Sequence, residues 1–182
     1  MSPGGGPAWL AETSAGGWPT RPYRSDRVRC ELAVPEGWMT RPALTELPTH
    51  AEELFPEGLL LQFMGGADPQ ADLRGWAAAP IALAGAPAAA VAVGASELLA
   101  WDEVEAADVA GRLEVDELRL FEGLARGADL RRIYTVLARR GTEAWHVGLA
   151  LESACPPGAP EEAVAAHDHV RAAAMLSRLR LG

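Results

Sequence analysis

Apolar and polar positions alternate most regularly in RVRCELAVPEGW, where Val28, Cys30, Leu32 and Val34 are interleaved with Arg29, Glu31 and Ala33. A period of two with one apolar face predicts a half-buried strand. Pro35, Glu36 and Gly37 then supply turn chemistry, with proline setting φ and glycine free of side-chain restriction. Trp38 follows as a large anchor expected to cover one end of the core.

The same alternation returns three times in the C-terminal half, in LEVDELRLFEG, ADLRRIYTVLARRG and TEAWHVGLALES. Short connections separate these segments, one of them a tight turn around Gly141, so they read as an antiparallel meander. In the last, Trp145, Val147, Leu149 and Leu151 share one face and Ala144, His146, Gly148 and Ala150 the other. The middle segment is apolar on both faces, which places it inside a covered sheet.

Elsewhere the pattern is less regular. LPTHAEELF predicts a short helix with Thr49 as N-cap and Glu52 at its third helical position, as in a capping box. GLLLQFMGG is a short apolar run bounded by glycines and suits a buried strand. DPQADLRGWAA predicts a short helix ending near Gly75. PEEAVAAHDHVRAAAMLSRLRLG predicts a closing helix with Glu161 and Glu162 at the positive end of its dipole. Ala166, Val170, Ala173 and Ser177 make a smooth stripe along it, and the final RLRL frays or continues it. The expected fold is α+β, a central antiparallel sheet with helices on its faces and a C-terminal helix. Residues 1–22, dominated by Gly, Pro, Ser and Thr, are expected to form a flexible tail, and 23–182 a single domain.

One stretch needs separate weighing. WAAAPIALAGAPAAAVAVGAS, Trp76 to Ser96, holds no charged side chain. Its 21 residues reach the length of a membrane span. Alanine contributes little transfer energy, however, and Pro80 and Pro87 interrupt a helix. A strand near Ala88–Gly94 is expected instead, and the small side chains there, including Ala90 and Ala92, would form a smooth apolar surface. No stable membrane insertion is expected.

All sixteen basic residues are arginine and asparagine is absent, the imprint of a GC-rich bacterial genome. A net charge of -9 works against binding phosphate backbones, so nucleic acid is not an expected partner. No basic-then-apolar leader pattern opens the sequence, and the expected compartment is the cytoplasm. Cys30 and Cys155 read as two buried thiols rather than a disulfide framework or metal clamp.

Candidate chemistry is sparse. His167 and His169 are two apart on a helix and point in different directions, the wrong spacing for shared metal ligation. Asp102, Glu103, Glu105 and Asp108 form an acidic patch without the spacing of a calcium loop, and read as a solvated helical or loop face. Arg131, Arg132, Arg139 and Arg140 are expected to pair across strands with Glu114, Asp116, Glu117 and Glu143. No nucleophile elbow, phosphate loop or HExxH motif occurs. No catalytic residue, metal or cofactor is therefore assigned.

A strand running into VPEGW, the pair RRIYTVLARRG and TEAWHVGLAL, and a closing helix ending AMLSRLRL together resemble the PsbP-like superfamily. That group takes in the DcrB and LpqN lipoproteins and the Eag chaperones of type VI secretion. Pro35, Gly37, Trp38, Tyr134, Trp145 and Ser177 carry the likeness. It implies an antiparallel sheet between helices and non-enzymatic work, the binding of a protein or hydrophobic segment. The expected function is a cytoplasmic adaptor or chaperone for a protein client, such as a secretion or contractile-injection effector. Trp38, Ala90, Ala92, Tyr134, Trp145 and His146 are the candidate partner-binding residues. The alternatives are a small-ligand protein or enzyme with a pocket beside Trp145, His146 and Tyr134, or a structural subunit of a larger assembly.

Overall fold

In the computed structural model the described residues are 19–42, 49–55, 58–65, 97–106, 111–126, 130–152 and 161–182. Trp76–Ser96, the expected helix over 68–75, Cys155 and most of the N-terminal tail lie outside them.

The alternating segments become strands as their pattern predicts. β2 (Cys30–Pro35) pairs with β1 (Thr20–Ser25) and with the short β10 (Arg180–Leu181) in a three-stranded antiparallel sheet, order β1-β2-β10. β1 begins within the segment expected to be tail. β10 occupies the end of RLRL, which neither frays nor extends the helix. Its Leu181 is buried and sits opposite Cys30, so burial on β2 outweighs further helical propagation.

The second sheet has seven strands: β3 (Met39–Pro42), β4 (Thr49–Phe55), β5 (Leu59–Met64), β6 (Glu97–Val104), β7 (Glu117–Arg126), β8 (Leu130–Arg140) and β9 (Glu143–Glu152). Their spatial order is β3-β4-β5-β9-β8-β7-β6, every pairing antiparallel. β7, β8 and β9 form the expected meander. The β8–β9 turn closes directly from Arg140 to Glu143, with Gly141 at φ 59 supplying the left-handed backbone this hairpin needs.

Two expectations are corrected. THAEELF is strand β4, not a helix: it is paired on both sides, with Leu54 opposite Thr40 and Leu59. Two ladders satisfy its backbone, which outweighs the one or two bonds of a capping box. ELLAWDEV is strand β6 rather than a helical or loop face, with a register shift between Leu98 and Ala100.

Among the described residues the one long helix is α1 (Glu161–Leu176), so sheet dominates the α+β architecture. α1 and the small sheet lie on one face of the large sheet. There Leu32, Val34, Leu61, Leu120, Trp145 and Met175 meet in a single buried cluster. The C-terminus of α1 is held by Arg112, whose guanidinium donates to the carbonyls of Leu176 (3.2 Å) and Ser177. That satisfies carbonyls the helix itself leaves orphaned. No helix among the described residues is long and apolar enough to cross a membrane.

Candidate functional site

The residues expected to bind a partner divide between the two faces of the large sheet. Alternation along β9 turns Trp145 toward α1 and the small sheet, with Phe63 and Ala138 opposite it on the flanking strands. Tyr134 and Trp38 belong to the same buried cluster. His146, the next residue along, faces the other way, opposite Gln62 and Leu137. Trp145 and His146 therefore do not line one pocket together. All four are interior groups, exposed by 5% (Trp38), 0% (Tyr134), 0% (Trp145) and 5% (His146). Ala90 and Ala92 lie outside the described residues.

The interior positions carry structural bonds. The Trp145 indole N–H donates to the Val28 carbonyl at 3.1 Å, tying the large sheet to the small one. The Arg140 guanidinium lies 5.4 Å over the Trp145 ring. Its N–H groups reach the carbonyls of Leu113, Glu114 and Leu181 at 2.8–3.3 Å. Of the expected cross-strand pairs, Arg139 meets Glu117 at 3.0 Å. Arg132 instead meets Asp168 of α1 at 3.4 Å, and Glu143 pairs with Arg29. Asp116 accepts from the Gly141 N–H.

Two polar clusters lie between the layers. In the first, the Tyr23 hydroxyl donates to Glu52 at 2.5 Å beside Cys30. Burial, reinforced by Glu52, raises the Tyr23 phenol and pushes the Cys30 thiol up to about 12. A thiol so raised stays protonated at neutral pH and is a poor nucleophile. In the second, His169 approaches Glu122 at 3.4 Å and meets the Tyr134 ring edge-on at 5.9 Å. Burial raises the Tyr134 phenol as well. On the opposite face burial alone holds His146 down at about 4, so it is neutral. Burial thus keeps the Tyr23, Cys30 and Tyr134 protons in place and leaves His146 unprotonated at neutral pH.

The outermost strands differ from this interior. Among the described residues the exposed large apolar side chains are Met39 (59%) and Leu99 (37%). Met39 stands on β3 and Leu99 on β6, the two edges of the seven-stranded sheet. Leu99 is the unmatched residue of the β6 bulge. Beside it, Trp101 stacks on Phe121 at 5.1 Å, and Glu103 makes a two-pronged pair with Arg119 at 2.8 and 2.6 Å. That pairing lowers the Glu103 carboxyl below its usual range. Sequence reasoning passed over both edge residues. The signal for Leu99 was present: the Leu98–Leu99 doublet breaks the period of two, which is how a bulge reads in sequence.

No protein-family model matches the chain, and no curated protein matches it. Among solved structures it is similar to the solution structure of cyanobacterial PsbP (CyanoP) from Synechocystis sp. PCC 6803, at 11% identity and a TM-score of 0.46. The similarity covers 93% of this chain and 96% of that one.

Proposed function

We propose that this chain is a non-enzymatic binding protein of PsbP-like type, a cytoplasmic adaptor or chaperone whose ligand is a protein client. The client is of the kind handed to a secretion or contractile-injection apparatus. The observation that carries this reading is the placement of Met39 and Leu99. The exposed large apolar side chains of the described residues sit on the two edge strands of the seven-stranded sheet, whose outer backbone edges have no strand beside them among those residues. An edge strand with an apolar side chain at its rim is a template for adding a further strand. The interior supports the same reading, since burial keeps the Cys30 thiol and the Tyr134 phenol protonated and makes the neutral His146 a weak base.

The test is a cross-linked pull-down from the native host with wild type, Met39→Lys and Leu99→Lys. A lysine at the rim opposes strand addition. The expected result is a client recovered with wild type and lost with at least one variant. Recovery of no protein, or equal recovery with all three, overturns the proposal.

A further inference from the structure

The two edges of the large sheet are not equivalent. β3 has four residues and includes Pro42, which has no N–H to offer a neighbouring strand. The carbonyl of Trp38 at its entrance already accepts from the Arg21 guanidinium at 2.8 Å. β6 has eight residues and contains neither proline nor a basic side chain. Among the described residues its backbone pairs with β7 alone, and no other main-chain hydrogen bond reaches it. Alternate residues of a strand in an antiparallel pair turn their N–H and C=O groups away from the partner. Those groups of β6 lie on a reachable margin, because Leu99, Ala100, Asp102 and Glu103 are all exposed, as is Glu105 just beyond the strand. After the bulge at Leu99, Ala100 to Val104 run on in regular register.

The side chains along this margin select what can pair with it. Successive residues of a strand face opposite ways. Asp102 therefore stands on one face opposite Glu122, and Glu103 on the other opposite Phe121. Carboxylates directly opposite each other destabilise a strand pair. His169 reaches Glu122 at 3.4 Å, and Arg119 takes Glu103. Among the described residues Asp102 and Glu105 make no ion pair. Such an edge opposes pairing with a second copy of this chain, which would bring its own carboxylates and a further net charge of -9. It does not oppose a strand that carries cations.

We infer that β6 is the docking edge and that its occupant is an extended, basic segment of a protein client. The segment pairs along Ala100 to Val104, sets an arginine or lysine against Asp102 and another toward Glu105, and packs an apolar side chain on Leu99. Main-chain bonds give such a mode its affinity and the side chains its selectivity. The inference rests on the proposed binding function and deepens it, by choosing one edge and naming the charge of the client.

The experiment uses the full chain and fluorescence anisotropy. The probes are a short labelled peptide alternating Arg and Val, the same peptide with Gln for Arg, and the Arg peptide N-methylated at its central amides. The Arg peptide is expected to bind at least about tenfold more tightly than the Gln peptide, with affinity falling as salt rises. N-methylation is expected to cost about as much again, since it removes main-chain donors. D102N/E105Q is expected to lose the preference for Arg while keeping its melting temperature, both side chains being exposed. D26N/E36Q removes the same charge from exposed turn positions beside β1 and β2 and is expected to keep the preference. Leu99→Lys is expected to weaken the Arg peptide at least about tenfold, and Met39→Lys to leave it unchanged. Equal binding of the Arg and Gln peptides, indifference to N-methylation, equal effects of the two double variants, or equal effects of Leu99→Lys and Met39→Lys overturns the inference. A client lost from the pull-down with Met39→Lys but kept with Leu99→Lys also overturns it and leaves the proposed function standing. Absence of any client from the pull-down removes the proposed function, whereas the peptide pattern is read on the purified chain by itself.

Discussion

The two faces of the large sheet solve the same burial problem with different residues. Toward α1 and the small sheet, the central strands present Leu59, Leu61, Val136, Trp145 and Leu149, and the polar groups there are bonded across layers. The opposite face sets small residues, Ala51, Ala144, Gly148 and Ala150, beside His146, Thr135 and Gln62 and among the larger Leu60, Phe121, Ile133 and Leu137, and is also buried. Large side chains let one face bridge to a second sheet and a helix. On the other face His146 lies buried among apolar neighbours such as Leu137, where an ionisable group is costly to charge. An ionic pair such as Arg132–Asp168 is tolerated on the first face, while His146 on the second is held neutral.

The contrast is broken most sharply by Trp145→Ala. Removing a fully buried indole that also bonds to Val28 should cost about 4 kcal/mol, with detachment of the small sheet. Urea unfolding followed by hydrogen exchange at β2 measures both. A loss of under about 1 kcal/mol would show that the first face does not depend on its large side chains.

Acid tests the second face. His146 has a folded-state value of about 4 against an ordinary 6.5, so the unfolded chain takes up a proton that the native chain refuses. Stability from this residue is full above pH 6.5 and is lost as pH falls toward 4, on the order of 3 kcal/mol in all. The pH dependence of wild type should therefore be steeper than that of His146→Gln across this window. Superimposable curves would mean that His146 is not held neutral.

Gly123→Ala probes how closely this second face packs at its β6 margin. An added Cβ would lie 2.7 Å from both the Ala100 carbonyl and the Trp101 ring. A loss of about 2 kcal/mol is expected, with altered Trp101 fluorescence as the stack on Phe121 shifts. The smallest effect belongs to Glu103→Gln. The pair with Arg119 is half exposed, and its removal should cost no more than about 0.5 kcal/mol, fading further in salt.

Strand periodicity was legible wherever one buried face alternates with a second face, as in RVRCELAV and TEAWHVGLAL, and the β8–β9 turn was legible from Gly141. The failures share a cause. THAEELF satisfies a capping box on paper, and RLRL continues a helix on propensity, but both are recruited as strands by partners remote in sequence: β3 and β5 for the first, β2 for the second. Local preference amounts to a few tenths of a kcal/mol per residue, which a ladder of backbone bonds with buried side chains overrides.

The candidate binding residues show the same division. Trp38, Tyr134 and Trp145 were recognisable as important because they are large and aromatic. The sequence by itself determined that these side chains, with the alternation around them, would build a sheet-centred core, since burial of apolar area depends on residue type and period. Only the tertiary structure decided that they are consumed by that core. Likewise it decided that Met39 and Leu99 fall on the two edges of the large sheet. Whether a side chain is interior or free depends on which strands stop short and which pair, and those contacts join residues more than a hundred positions apart, as Val28 and Trp145 show.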